Sequence, residues 1–220
     1  MTMITAHAGA DALSDNSLAY VRHALASAAD ALEIDVRRAA AGELRLGHDA
    51  ADDGLPTLEE VFALLRDTPG KRVNCDLKEP GLQEAVCALA REHGLAGRVI
   101  LTGTTDAALY AASPAQREIA ALWLNAELVT PEIYPRAQED AFRRAAAEAT
   151  IAFCRRCGLA VVNLHHRLAD GDFGAAMREA GLALSVWTVN EEADIRRFLA
   201  GGVKNLTTRN LAAALRLAGR

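Results

Sequence analysis

Short apolar runs and longer amphipathic stretches alternate from one end of the chain to the other. The apolar runs predict strands centred on residues 3–6, 31–36, 73–77, 99–103, 119–124, 160–164, 183–188 and 203–207, with a further short one at Leu44-Arg45-Leu46. Helical spacing between them predicts helices over 16–29, 58–66, 82–93, 107–112, 139–157, 173–179, 191–200 and 210–217. Their ends carry chemical signals. Thr57 and Glu60 have the spacing of a capping box behind Pro56, and Gly94, Gly158, Gly181 and Gly201 are stop signals. Eight strand–helix units in series predict a parallel sheet, and eight is the number that closes a (β/α)8 TIM barrel. An open doubly wound sheet usually carries a G-x-G-x-x-G turn after its first strand, which His7-Ala8-Gly9-Ala10 does not supply. No linker or break in composition divides the chain, so residues 1–220 are expected to form one barrel domain.

The strand ends carry the candidate chemistry. Side chains alternate along a strand, so Glu33 and Asp35 share a face, as do Asp76 and Lys78. Two acids on one face repel unless a cation or a basic partner lies between them. Three carboxylates, with His7 and His48 at neighbouring strand ends, describe a divalent cation flanked by acid–base groups. An all-oxygen ligand set suits Mg²⁺ or Ca²⁺. A buried salt-bridge network is the alternative reading of the same acids.

Composition narrows the class. Of the residues, 51% are hydrophobic, ample for a core, yet no run of about 18 apolar residues offers a transmembrane helix. The opening Met-Thr-Met-Ile-Thr-Ala has no basic or apolar leader region, which leads us to expect a cytoplasmic protein. A formal charge of −5 without a dense Lys/Arg cluster argues against a nucleic-acid partner. Cys154 and Cys157 have metal-ligand spacing but no second pair, and read as two thiols on a helix; Cys75 and Cys87 read as core.

Several motifs in fixed order resemble the glycerophosphodiester phosphodiesterase family. They are His7-Ala8-Gly9, Asp15-Asn16-Ser17, Glu33-Ile34-Asp35, His48-Asp49 and Asp76-Leu77-Lys78, followed by Val186-Trp187-Thr188-Val189-Asn190 and Gly202-Val203-Lys204-Asn205-Leu206-Thr207-Thr208. The resemblance runs the length of the chain. It implies a barrel of the PLC-like phosphodiesterase type that cleaves a small phosphodiester into an alcohol and a phosphomonoester. It also implies a cation held by Glu33, Asp35 and Asp76, with His7 and His48 as the acid–base pair. Lys78, Trp187, Asn16 and Asn163 are then the expected substrate contacts, Lys78 stabilising phosphate charge and Trp187 packing on the organic part.

Three departures stand out. The arginine expected after the first His is Ala8, which removes a phosphate-binding guanidinium. Asp76 and Asp15 each replace a longer Glu. Only six residues separate Asp49 from Pro56, where the family usually carries an inserted subdomain, so a more open site is expected, with segment 125–139 as a replacement lid. Two variants follow: a lysophospholipid-directed phosphodiesterase, and a catalytically impaired phosphate-ester binder that lost turnover with the arginine. A homo-oligomer stays open. His165 and His166 read as surface loop residues, His23 and His93 as solvated helix residues, and Asn190 as a pocket residue or a helix cap.

Overall fold

The computed structural model describes residues 1–220. Its strands are β1 (Met3–Ala6), β2 (Ala31–Arg38), β3 (Leu44–Leu46), β4 (Arg72–Leu77), β5 (Val99–Gly103), β6 (Ala120–Leu122), β7 (Leu124–Asn125), β8 (Val161–His165), β9 (Ala183–Trp187) and β10 (Asn205–Thr208). They order as β6-β5-β4-β2-β1-β10-β9-β8-β7, with β3 antiparallel on the outer reach of β2 and every other pairing parallel. The two ends of that order are neighbours in sequence. The stretch expected as one strand over 119–124 is split: β6 pairs with β5, β7 pairs with β8, and Trp123 alone joins them. Its N–H donates to Leu101 O at 3.0 Å. Those two halves form one barrel position, which nearly closes an eight-position barrel.

Strand parity sorts the side chains. One set faces the helices and belongs to a single core cluster of 55 buried residues, among them Ile4, Ile34, Cys75, Leu101, Leu164 and Val186. The other set faces the barrel axis in layers, as expected for this architecture. Ile100, Trp123 and Val161, with Met3 and Ala183 against them, make an apolar plug at the amino-terminal end of the strands. Two residues further along, Thr5, Asn74, Thr102, Asn125, Asn163, Ser185 and Asn205 form a buried polar layer. Its members satisfy one another: Thr5 Oγ1 donates to Asn205 Oδ1 (2.7 Å), Asn205 Nδ2 to Ser185 Oγ (3.0 Å), Ser185 Oγ to Asn163 Oδ1 (2.8 Å), and Asn163 Nδ2 to Asn125 Oδ1 (2.9 Å). Burying such groups without partners would cost about 1–3 kcal/mol each. The next step up is the mouth at the carboxyl ends of the strands.

The surrounding helices are α1 (Leu18–Ala26), α2 (Leu58–Arg66), α3 (Gln83–Glu92), α4 (Ala107–Ala112), α5 (Pro114–Ile119), α6 (Asp140–Cys157), α7 (His166–Ala169), α8 (Asp172–Glu179), α9 (Glu192–Ala200) and α10 (Leu211–Leu217). The capping box at α2 is formed: Thr57 Oγ1 accepts from Glu60 N–H at 3.2 Å and Glu60 Oε2 from Thr57 N–H at 2.8 Å. The first helix is shorter than expected, because Asn16 takes a left-handed backbone (φ 55°) and Ser17 caps the helix instead. Helices α5 and α7 were not expected. Ser113 caps α5 and Pro114 starts it, a signal too short to stand out beside α4. All four cysteines are free and buried, and burial pushes the Cys154 thiol up to about 11.

Candidate metal-binding active site

The mouth holds a cavity of about 400 Å³ at the carboxyl ends of the strands. On its floor, Glu33 and Asp35 of β2 and Asp76 of β4 bring carboxylate oxygens within 4.8 Å of one another. Asp35 and Asp76 are register partners on adjacent parallel strands, which places them side by side without any loop. Lys78 Nζ lies 2.8 Å from Asp35 Oδ1 and 2.5 Å from Asp76 Oδ2. One ammonium thus contacts two of the three carboxylates. Burial pushes the Glu33 carboxyl up to about 7; His7 opposes that shift, while Asp35 and Asp76 add to it. Burial disfavours the Lys78 ammonium, but Asp76 and Asp35 outweigh it and hold that group above its ordinary value. An oxygen-only cluster with surplus negative charge is what a hard divalent cation fits.

The acids are held by groups with no freedom to follow solvent. Asn16 is buried and spans Asp35: its Oδ1 accepts the Asp35 N–H at 3.0 Å and its Nδ2 donates to Asp35 Oδ2 at 2.7 Å. Ala8 N–H donates to Glu33 Oε2 at 2.8 Å, and the Tyr20 hydroxyl sits 2.7 and 2.8 Å from Ala6 O and Glu33 O. Thr102 Oγ1 lies 3.1 Å from Asp76 Oδ1. Gly103 is required beside it. At φ 74° a Cβ there would stand 2.4 Å from Asp76 Oδ1 and from Leu77 O.

Both expected histidines line the cavity. His7 Nδ1 is 3.1 Å from Ala8 O and 3.8 Å from Glu33 Oε2. A carbonyl only accepts, so Nδ1 carries the proton in that contact and Nε2 holds the free lone pair of the neutral ring. His48 is exposed, with Nδ1 2.7 Å from Asp49 Oδ1. In the turn between Asp49 and Pro56, Arg45 Nη1 donates to the carbonyls of Asp53 (2.9 Å) and Leu55 (2.5 Å).

Arg209, just past β10, also lines the cavity, and the sequence reading did not single it out. Its Nη1 and Nη2 donate to Asp15 Oδ1 and Oδ2 at 2.8 and 2.7 Å. The Arg209 guanidinium holds the Asp15 carboxyl below its usual range, burial opposes it, and His7 and His48 also act on the same carboxylate. Gly9 (φ 73°) leaves room for this pair, since a Cβ there would stand 2.0 Å from Asp15 Oδ1. The signal was available. Asn205, Thr207 and Arg209 alternate on the inward face of the last strand and its extension.

The far wall comes from segment 125–139 and the ends of β8 and β9. Asn163, Asn125, Trp187 and Glu127 line it. Glu127 Oε1 accepts from Asn125 Nδ2 and Oε2 from the Tyr134 hydroxyl, both at 2.9 Å. His165 and His166 are not surface loop residues. His165 ends β8, half-buried, with its ring 5.4 Å from Trp187, and His166 starts α7. His93 is half-buried against Phe62, 6.1 Å between ring centroids, rather than solvated. Asn190 caps no helix; its Oδ1 accepts the Arg209 N–H at 2.9 Å. Asn16 is committed to Asp35 and does not line the cavity.

The glycerophosphoryl diester phosphodiesterase family model matches residues 48–212. That is more than half of the chain but short of His7, Glu33 and Asp35, which only the barrel brings to the matched part. No curated protein matches the chain. Among solved structures, one from Agrobacterium tumefaciens str. C58, provisionally described as a glycerophosphoryl diester phosphodiesterase, shares 20% identity at a TM-score of 0.80 and covers 100% of this chain and 98% of its own. An Oleispira antarctica phosphodiesterase, solved in complex with the product sn-glycerol-3-phosphate, shares 17% identity at a TM-score of 0.72, covering 100% and 98%. A glycerophosphodiester phosphodiesterase from Thermotoga maritima shares 18% at 0.71, covering 100% and 99%. At these identities the likeness is one of fold.

Proposed function

The chain belongs to the glycerophosphoryl diester phosphodiesterase family, and from that premise we propose that it hydrolyses glycerophosphodiesters to an alcohol and a phosphomonoester. The observation that carries this reading is three carboxylates within 4.8 Å in one cavity with two imidazoles. Glu33, Asp35 and Asp76 would hold a divalent cation, Mg²⁺ or Ca²⁺, which when bound neutralises the anionic diester and favours attack at phosphorus.

The chain's own groups do the rest. One imidazole takes the proton of the attacking oxygen at Nε2, and the other protonates the departing alkoxide. His7 and His48 both act on the Asp15 carboxylate, which fits two rings on one side of the cavity. Arg209 supplies the guanidinium that Ala8 lacks. Held in bidentate contact by Asp15, it enters the cavity from the opposite end of the chain and needs no insertion to position it. Lys78 offsets the surplus charge of Asp35 and Asp76 before substrate arrives and then faces the phosphate. Asn16 is a positioning residue, acting through Asp35. Trp187 and Asn163 form the wall on which the organic part of the diester rests. No helix is long and apolar enough to cross a membrane, and four free thiols accord with action in a reducing compartment such as the cytoplasm.

The test is release of alcohol from glycerophosphodiesters with Mg²⁺, Ca²⁺, Mn²⁺ or chelator. Turnover that requires the cation and falls away in His7→Ala is expected. Turnover that survives exhaustive chelation would sink the reading.

A further inference from the structure

A second cavity, of about 490 Å³, adjoins the first, and Trp187 lines both. Tyr134, His165 and Phe173 make up the rest of its aromatic wall. The rings meet edge to face: Tyr134 stands 6.0 Å from Trp187 at 75°, and His165 stands 5.4 Å from it at 86°. Tyr134 is fixed from both sides, donating to Glu127 and accepting the His165 N–H at 3.3 Å. The wall between the two cavities is therefore preformed.

Two guanidiniums, Arg143 and Arg167, and one carboxylate, Asp172, also line this cavity. Arg143 is paired with Asp140 and lies 3.9 Å from Asp172. Arg167 is exposed and forms no ion pair, and beyond it Asp170, Glu191 and Asp194 line a neighbouring cavity that it shares. Burial lowers the basicity of His165, and His166 and Arg167 lower it further; at His166 burial acts in the same direction, Asp194 opposes it, and Arg167 and Arg197 add to it. On the far side of Tyr134, both oxygens of Glu127 are engaged by Asn125 and Tyr134.

Resting on the hydrolase reading above, we infer that this cavity receives the alcohol half of the diester and selects against positively charged alcohols. Neutral polyols such as glycerol and inositol fit it. They stack on Trp187 and Tyr134 with their carbon faces and offer hydroxyl oxygens to Arg167. Choline and ethanolamine meet an unpaired guanidinium instead. Aromatic cages that capture ammonium groups surround the cation with ring faces; here the rings turn edges to one another, and Arg167 lines the same cavity. The selection is made by repulsion as much as by fit.

Four diesters test this with the metal-loaded protein: glycerophosphoglycerol, glycerophosphoinositol, glycerophosphocholine and glycerophosphoethanolamine. The expected kcat/KM is at least ~10-fold higher for the first two, the difference lying mainly in KM, since an unpaired charge is costly to approach. Arg167→Glu should erase or invert that ratio, and Arg167→Lys, which keeps the charge, should preserve it. Equal or better turnover of the choline and ethanolamine diesters overturns the inference, as does a ratio unchanged in Arg167→Glu. If none of the four turns over, the hydrolase reading fails, and calorimetric binding of the same four decides this one. Preference for the neutral pair supports the inference; equal affinity ends it.

Discussion

Asn16 grips Asp35 at two points, accepting its backbone N–H at 3.0 Å and donating to its Oδ2 at 2.7 Å. The grip needs a residue that tolerates φ 55°, offers both a donor and an acceptor, and can be buried once satisfied. Asn16→Ala should lower cation affinity by about 10–100-fold, as loss of a group that orients a metal ligand does. Asn16→Asp presents a second carboxylate to Asp35 and should be no better. Calorimetric titration with Mg²⁺ or Ca²⁺ reads both variants, and undiminished affinity in Asn16→Ala would show that Asp35 needs no such support.

Arg209 is proposed to stand in for the guanidinium missing at position 8. Arg209→Ala should cut kcat/KM by about 100- to 1000-fold, the scale of removing one preorganised charge-stabilising donor. Asp15→Asn keeps Arg209 but frees it from its bidentate hold, so a smaller loss is expected, carried in KM. Steady-state kinetics separate the two. Wild-type rates in Arg209→Ala would leave phosphate binding to Lys78 and the cation alone.

Glu33 should make the metal-free protein pH-sensitive. Its carboxyl sits at about 7 in the folded state against an ordinary 4.5, so the folded state binds more protons than the unfolded chain between those values. Stability from the protonated form is therefore complete below about 4.5 and is lost as pH rises to about 7. Thermal unfolding of the chelated protein should show Tm falling across that window relative to Glu33→Gln. Adding the cation should remove the difference at the upper end. Parallel pH profiles for the two chelated proteins would mean Glu33 does not titrate there.

Gly103 keeps Asp76 in place by having no side chain. Gly103→Ala combines a left-handed backbone with a 2.4 Å approach to Asp76 Oδ1, and should cost about 1–3 kcal/mol of stability. Cation affinity should fall with it, because the atom displaced belongs to the ligand cluster. Denaturant melts and metal titration on the same variant test both; a stable variant with intact affinity would show that β5 can give way.

Much of this protein is legible before folding. The alternation of strands and helices, the capping box at Thr57 and the inward parity of Glu33, Asp35, Asp76 and Lys78 follow from local geometry alone. Periodicity reports which face a side chain takes, and that is a property of neighbours in sequence. The break at Trp123 is harder. Nothing local distinguishes one strand of six residues from two short ones; the division exists because β5 and β8 claim successive halves of it.

The ionisable groups divide in the same way. Sequence by itself determines that acids and histidines lie at strand ends of a β/α chain, since composition and period suffice for that. Only the tertiary structure joins Arg209 to Asp15 across almost the whole chain, commits Asn16 to Asp35 rather than to the cavity, and turns His165 inward against Trp187. These depend on which strands become neighbours when the barrel closes, and on desolvation there, where a satisfied contact is kept and an unsatisfied one is expensive.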